Sequence, residues 1–359
     1  MQVTARMSDE IIFRQIGLPV FQNKVYPTRH AARRAVLGDV ELVQCPESGL
    51  VHNRNFNPSV LDYDTDYQNE QACSLAFKRH LDEVLDIVLR NFGLEQVGVE
   101  IGCGKGYFLE MLCEAGADIT GFDPAYEGSN ARVVRKSFGE EPLLVAPDYV
   151  ILRHVLEHIP SPWSFLGSLR RQCKAGTKIY IEVPCFEWIV ENKAFYDIFY
   201  EHVNYFTLDV LECAFGSILR SGNFFGGQYL FLIADLSTFK APERYVGRRF
   251  GKLDIDSYLD SLLGKRSDQR RKAFIWGAGA KGITLSNILS RSAVPVEAII
   301  DINPAKQGKF AGGCGLPIMG PGAAMQQIEG ADVFVMNPIY LSEIASLVRD
   351  VNVKLISVV

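Results

Sequence analysis

Val97-Gly98-Val99-Glu100-Ile101-Gly102-Cys103-Gly104-Lys105-Gly106 is a short apolar strand that runs into a turn with glycine at every second position. An apolar helix follows through about Gly116, and a second strand from Asp118 ends on the acid Asp123. This is the pattern of a βαβ unit. The same design returns later in Ala273-Phe274-Ile275-Trp276-Gly277-Ala278-Gly279-Ala280-Lys281-Gly282, a helix, and a strand from Val296 to Asp301. Such units build doubly wound parallel sheets with helices on both faces. The chain is therefore predicted to hold two α/β domains.

Glycines at 102, 104 and 106 remove the Cβ atoms that would keep a ligand from the backbone, and the helix start offers free N–H donors. Asp123, 17 residues past Gly106, stands where a carboxylate accepts the hydroxyls of a ribose. A nucleoside-bearing cofactor is implied. A pyrophosphate fingerprint would read G-x-G-x-x-G, whereas this loop reads G-x-G-x-G behind an acid, which suits a cationic amino-acid tail. S-adenosylmethionine is thus favoured over NAD, and a glycine turn that only packs helix on strand is the bland alternative.

With 359 residues, 48% of them hydrophobic and 22% charged, the chain is long enough for two or three cores and resembles neither a disordered tail nor a coiled coil. A formal charge of -5 argues against wholesale nucleic-acid binding. No apolar run approaches the roughly 18 residues of a membrane helix, and Met1 to Glu10 lacks the apolar stretch of a signal peptide. No membrane partner and a cytoplasmic location are expected. The eight cysteines form no C-x-x-C pair, so structural disulfides are not expected. Residues 240 to 272 hold ten basic against five acidic side chains. They read as a solvated connecting helix or as a docking face for an anion.

His154-Val155-Leu156-Glu157-His158 matches the H-x-x-E-H pattern of a zinc peptidase class, but Asp148 to Leu152 before it is a buried-strand pattern. The segment should instead turn out of a strand's carboxyl end, where open α/β sheets bind ligands. His158 is the better cleft candidate, His154 being nearest the strand. Downstream, Phe199-Tyr200-Glu201-His202-Val203-Asn204-Tyr205-Phe206 sets titratable side chains in an aromatic stretch, where burial without purpose is unfavourable. Histidine has the pKa for a base near neutrality, and a carboxylate beside it can orient it.

Glu100 to Gly106 with Gly121-Phe122-Asp123-Pro124 resembles the class I S-adenosylmethionine-dependent methyltransferase core. The resemblance implies cofactor contacts from Glu100, Gly102, Gly104, Gly106, Tyr107, Phe108, Asp123 and Pro124. The Phe199 to Phe206 segment resembles the sugar C-methyltransferases, which act on nucleotide-linked keto-deoxysugars. That likeness extends to Asp62-Tyr63-Asp64-Thr65-Asp66-Tyr67 before a helix with Ser74, to Gly277 to Gly282, to Asp301-Ile302-Asn303-Pro304 and to Met336-Asn337-Pro338.

The implied organisation is a small N-terminal domain over 1–70, a methyltransferase core over 71–237, a basic linker over 238–270 and a C-terminal Rossmann-like domain over 271–359. Two departures stand out. The family commonly has two C-x-x-C zinc pairs in its leading domain, whereas here Cys45 stands alone. No zinc or other metal is expected, and His30 and His52 are the residues to examine were zinc found. The family's catalytic stretch reads Tyr-x-Glu-His, so Phe199 displaces or removes a tyrosine hydroxyl.

The reaction implied is carbon methylation next to a ketone of a small-molecule acceptor, a nucleotide-sugar. His202 is expected to remove the proton, Glu201 to orient His202, and His158, Tyr200 and Tyr67 to hydrogen-bond the enolate oxygen. Transfer to oxygen or nitrogen is the rival within methyltransferases, and a non-catalytic cofactor-binding protein is a further one. Gly277-x-Gly279-x-x-Gly282 with Asp301 satisfies the dinucleotide fingerprint and by itself suggests an NAD-dependent oxidoreductase. In the family resembled, that domain carries no redox cofactor and closes the substrate cleft. The acceptor's identity and the oligomeric state are left open.

Overall fold

The first βαβ unit lies at the centre of a seven-stranded sheet. The structure is a computed structural model that describes residues 10–61, 74–138, 146–266, 268, 270–292 and 294–359. In spatial order the strands are Ile218–Phe224, Tyr229–Asp235, Lys178–Pro184, Tyr149–Arg153, Val97–Ile101, Asp118–Phe122 and Val133–Val134. The last five in that row are mutually parallel, while Tyr229–Asp235 is antiparallel to both its neighbours. The reversed strand follows a tight hairpin at 225 to 228, where Phe225, Gly226 and Gly227 all have positive φ. Tyr149, Val150, Ile151 and Leu152 are buried, as a parallel strand covered on both faces requires.

Helix Leu75–Asn91 covers one face. Ser74 caps it by accepting from the Phe77 N–H at 3.3 Å, and Phe77, Leu81, Val84 and Val88 form its buried stripe. The strand order reverses at Val97–Ile101, whose neighbours carry the next two βα turns. The carboxyl ends of these strands therefore open a crevice.

The second unit starts a five-stranded, all-parallel sheet in the order Ile318–Met319, Val296–Ile300, Ala273–Trp276, Asp332–Val335, Lys354–Ser357. Here too the order reverses at the strand before the glycine turn. The architecture is the class I methyltransferase fold with a second Rossmann-like α/β layer, as the sequence leads one to expect.

The described part of the leading segment, residues 10–61, is joined to the rest of the chain through its strands. Strands Phe13–Pro19, Leu37–Gln44 and Val51–Asn53 form an antiparallel sheet whose fourth strand is Asn204–Tyr205, and Val25–Tyr26 pairs with Phe310–Ala311. The leading strands are too few to enclose a core of their own. Leu18, Val40 and Leu42 instead share one with Phe186, Tyr196, Ile275 and Ile283.

The basic stretch after 238 also differs from a solvated helix. Among the described residues there, only Ile255–Gly264 is α-helical, with Tyr258 and Leu262 buried. Arg249 donates to the carbonyls of Cys45 and Pro46, and buried Arg266 meets Asp332 at 3.1 Å. Carboxylates and carbonyls of the flanking layers use much of its charge. Among the described residues, no helix is long and apolar enough to cross a membrane.

Candidate active site

Gly102, Gly104 and Gly106 have φ of 72°, 55° and 82°, and they bend the chain from strand Val97–Ile101 into helix Tyr107–Glu114. A Cβ on Gly104 would meet nothing within 4 Å, so the backbone is open to a ligand at this point. Asp123 ties the turn down: Gly104 N–H donates to Oδ2 and Ala125 N–H to Oδ1, each at 2.8 Å. Each carboxylate oxygen keeps a lone pair for a hydroxyl.

Glu100 is 3% exposed, and its Oε2 has no hydrogen-bond partner among the described residues. Burial pushes its carboxyl from the ordinary 4.5 up to about 7. Arg153 opposes the rise, while the charges of Asp123 and Glu182 add to it. A buried acid with an unmet oxygen, an open backbone turn and an anchored acid at the next strand end fit a nucleoside carrying a cationic tail. Of the other expected contacts, Tyr107 and Pro124 are exposed. The Phe108 ring is buried in the core under the Arg153 guanidinium, 4.4 Å from the ring centre.

Strand Tyr149–Arg153 ends at His154, which has φ of 53°, and a single 3-10 turn Leu156–His158 follows. The H-x-x-E-H pattern therefore does not lie on an α-helix, and its histidines do not face one another as a zinc peptidase needs. His154 Nε2 lies 3.1 Å from Glu182 and its Nδ1 3.4 Å from Glu157. Burial alone would lower its pKa, but the two carboxylates raise it to about 9, so His154 is an imidazolium at neutrality. Glu182 also accepts from Arg153 Nε at 2.8 Å and faces His80 Nε2 at 2.8 Å. Burial would raise the Glu182 carboxyl, but the Arg153 charge, the His154 imidazolium and the hydrogen bond to His80 overcome it and hold the carboxyl well below its usual range.

His158 points the other way. Its Nδ1 lies 2.9 Å from the Glu201 carbonyl oxygen. A carbonyl only accepts, so Nδ1 carries the proton and Nε2 keeps a lone pair. The His158 and His202 rings meet edge to face, 4.8 Å between centres, and Phe199 lies 4.0 Å from His202. His202 is 8% exposed and its Nδ1 has no hydrogen-bond partner among the described residues. Burial, reinforced by His158, His154 and Lys281, holds its pKa well below the ordinary histidine value.

The expectations for its neighbours change. The Glu201 carboxylate accepts from the Gln22 N–H at 2.8 Å, which turns it toward the N-terminal segment and leaves the His202 Nδ1 without it. Its link to the histidine pair is its own backbone carbonyl, through His158. The Tyr200 hydroxyl accepts from the Asn57 N–H at 2.9 Å, with its ring stacked on Phe56, so this tyrosine secures the N-terminal sheet rather than the cleft. Tyr67 lies outside the described residues.

A cavity of about 310 Å³ opens in front of His154, Glu157, His158 and His202. Its opposite wall is the second glycine turn. Gly279 is open there, and a Cβ at this position would meet nothing within 4 Å. Asp301 repeats the Asp123 arrangement, with Ala278 N–H on Oδ2 at 2.5 Å and Asn303 N–H on Oδ1 at 2.8 Å. Lys281 bridges the two walls: its Nζ meets Asp197 Oδ2 at 2.7 Å and Gln228 Oε1 at 2.9 Å. Gln228 and Asn337 exchange amide hydrogen bonds at 3.0 Å. Sequence reasoning missed Asp197, Lys281 and Gln228, because their pairing joins segments far apart in the chain. The one local signal was a lysine inside a glycine turn.

Two family models match in succession: a methyltransferase domain over residues 75–217 and a C-methyltransferase C-terminal domain over residues 248–354. The chain is an S-adenosylmethionine-dependent methyltransferase. This methyltransferase is 24% identical to the C-methyltransferase NovU of Streptomyces niveus, the match covering 79% of this chain and 76% of that protein. It is also 30% identical to the ubiquinone biosynthesis O-methyltransferase of Colwellia psychrerythraea over 23% of this chain and 39% of that protein. Among solved structures, the PH0226 protein of Pyrococcus horikoshii OT3 matches at 13% identity and a TM-score of 0.39, over 48% of this chain and 99% of the other. The N-methyltransferase NodS of Bradyrhizobium japonicum WM9 matches at 14% identity and a TM-score of 0.33, over 47% and 97%. The cofactor of this methyltransferase is S-adenosylmethionine, and the Glu100, Gly104 and Asp123 cradle suits it.

Proposed function

We propose that the methyltransferase transfers the methyl group to a carbon next to a ketone, on a sugar carried by a nucleotide. The observation that carries this reading is the His158 and His202 pair, one ring held neutral by burial, at the strand ends of a cavity whose far wall is a second nucleotide-type glycine turn. The C-methyltransferase C-terminal domain match and the NovU likeness support it.

S-adenosylmethionine, when bound, supplies an electrophilic methyl group and needs no metal to do so. Glu100 meets its cationic tail, the open turn at Gly104 receives its backbone-facing side, and Asp123 takes the ribose hydroxyls. His202, neutral at physiological pH, accepts the proton from the carbon beside the ketone. The His154 imidazolium, fixed between Glu157 and Glu182, supplies positive charge on the side of the cavity where the enolate oxygen develops its negative charge. Gly279 and the start of helix Ala280–Arg291 present open backbone and free N–H groups to the phosphates of the carrier. Lys281, Gln228 and Asn337 keep that wall against the histidines, which sets the proximity that the transfer requires.

The test is proton exchange in heavy water. With S-adenosylhomocysteine and a nucleotide-linked keto-sugar, the enzyme should exchange the hydrogen next to the ketone, and His202→Ala should not. Methylation of a hydroxyl or amine without such exchange would instead establish transfer to oxygen or nitrogen. A shift of NADH fluorescence on mixing with the protein would favour an oxidoreductase role for the trailing layer.

A further inference from the structure

Three side chains with metal-ligating atoms converge beside the cavity. Glu157 is 1% exposed, and neither of its carboxylate oxygens has a hydrogen-bond partner among the described residues. His158 has its proton committed to the Glu201 carbonyl through Nδ1, which leaves a lone pair on Nε2. His202 has an unpartnered Nδ1. Ligating atoms of the three side chains lie within 4.8 Å of one another, and all three residues line the cavity.

We propose that Glu157, His158 and His202 form a binding site for one divalent transition-metal ion of the Zn²⁺ kind. Two imidazoles and one carboxylate are the donor set that borderline ions take, whereas Mg²⁺ and Ca²⁺ favour all-oxygen sets. Three protein ligands leave a coordination position facing the cavity, the pattern of an open rather than a structural site.

The His158 ring already has the support that metal-bound histidines need, since its other nitrogen donates to a backbone carbonyl, fixing tautomer and ring orientation. Closing the three ligands to Zn–N and Zn–O distances of about 2.1 Å brings them roughly 3.5 Å apart, a contraction of up to about 1.3 Å from the present separations. Arg153 is paired with Glu182, and Lys281 with Asp197, so among the described residues the one positive partner that faces Glu157 is His154, which it shares with Glu182.

The site also bears on the proposed reaction. The consequence rests on the reading of His202 as the base, because one lone pair holds either a metal ion or a proton. Metal occupancy then switches the base off.

Binding is measured apart from turnover. Protein stripped with a chelator is titrated with Co²⁺, followed by its visible absorption, and Zn²⁺ is used to displace it. One Co²⁺ per chain is expected. Glu157→Gln and His202→Gln should each weaken it by about 10- to 100-fold or more while retaining S-adenosylhomocysteine binding, and His30→Ala and His52→Ala should leave it unchanged. Absence of saturable Co²⁺ binding to the wild-type chain overturns the proposal. So does saturable binding that persists unchanged in correctly folded Glu157→Gln and His202→Gln. If Zn²⁺ binds as expected but does not inhibit methyl transfer, the metal site stands and the role of His202 as base falls.

Discussion

Replacing Glu100 with glutamine separates what this residue does for the empty protein from what it does for the cofactor. Burial raises the Glu100 carboxyl from 4.5 to about 7, a rise equivalent to on the order of 3 kcal/mol between its two protonation states. The folded chain therefore holds this proton more tightly than the unfolded chain does. Its stabilising contribution is full below the ordinary carboxyl range and is lost as pH rises through about 7. Glutamine has nearly the same shape and no proton to lose. Glu100→Gln should thus match wild type near pH 4.5 and exceed it by up to about 3 kcal/mol at pH 8 in the absence of cofactor. Urea unfolding at both pH values gives the comparison, because the other titrating groups cancel between the two proteins. Binding should go the other way: loss of a charge-assisted contact worth about 1.5 to 3 kcal/mol lowers S-adenosylhomocysteine affinity roughly 10- to 150-fold at pH 8. In wild type that affinity should fall as pH drops below about 7. A stability gap that does not change with pH would refute the account of burial, and unchanged affinity would refute the contact with the cationic tail.

Gly104→Ala puts a methyl into the open space of the first turn at a φ of 55°, so calorimetry should show at least a tenfold loss of S-adenosylhomocysteine affinity, with about 1 kcal/mol of strain in unfolding. His202→Ala should keep cofactor affinity and lower turnover by roughly 10²- to 10⁴-fold in steady-state assays. Lys281→Met leaves buried Asp197 without its ammonium partner, so urea unfolding should show a loss of about 1 to 3 kcal/mol, and the acceptor KM should rise more than kcat falls. Tyr200→Phe removes a hydroxyl that accepts from Asn57, so it should cost about 1 kcal/mol of stability and leave kcat unchanged.

Both α/β sheets were legible because a βαβ unit is written locally, in an apolar run, a glycine turn and an acid, from Val97 to Asp123 and from Ala273 to Asp301. The N-terminal sheet was not. Its fourth strand is two residues, Asn204–Tyr205, inside a segment read for chemistry, and nothing in its own pattern names Val51–Asn53 as its partner. The histidine segment shows the same limit at the scale of side chains. Every residue from 194 to 207 is buried, so neither helical nor strand periodicity tells which face each one takes. The types His202, Glu201 and Tyr200 were visible, but their directions were not: the Glu201 carboxylate turns to Gln22 and the Tyr200 hydroxyl to Asn57. Glu157 was visible as part of a peptidase-like pattern, and its burial beside two histidines emerges only from the fold.

The two glycine turns share one construction, and two of the positions at which they differ bear on what each can hold. In each, the acid at the end of the second strand takes one backbone N–H from the turn and one from two residues further on, Asp123 from Gly104 and Ala125, Asp301 from Ala278 and Asn303. Two residues before the first glycine the core has Glu100, whereas the trailing layer has Ile275, which offers nothing to a cationic tail. Four residues after that glycine the core has Gly106, whereas the trailing layer has Lys281, whose ammonium reaches across to Asp197 and Gln228. The first turn can therefore receive S-adenosylmethionine, and the second cannot hold its tail by the same means. The second spends its lysine on fixing one wall of the cavity to the other, while Gly279 stays open to the cavity. Grafting the acid, as Ile275→Glu, would bury a carboxylate without a partner, so a second S-adenosylmethionine site requires more than one substitution.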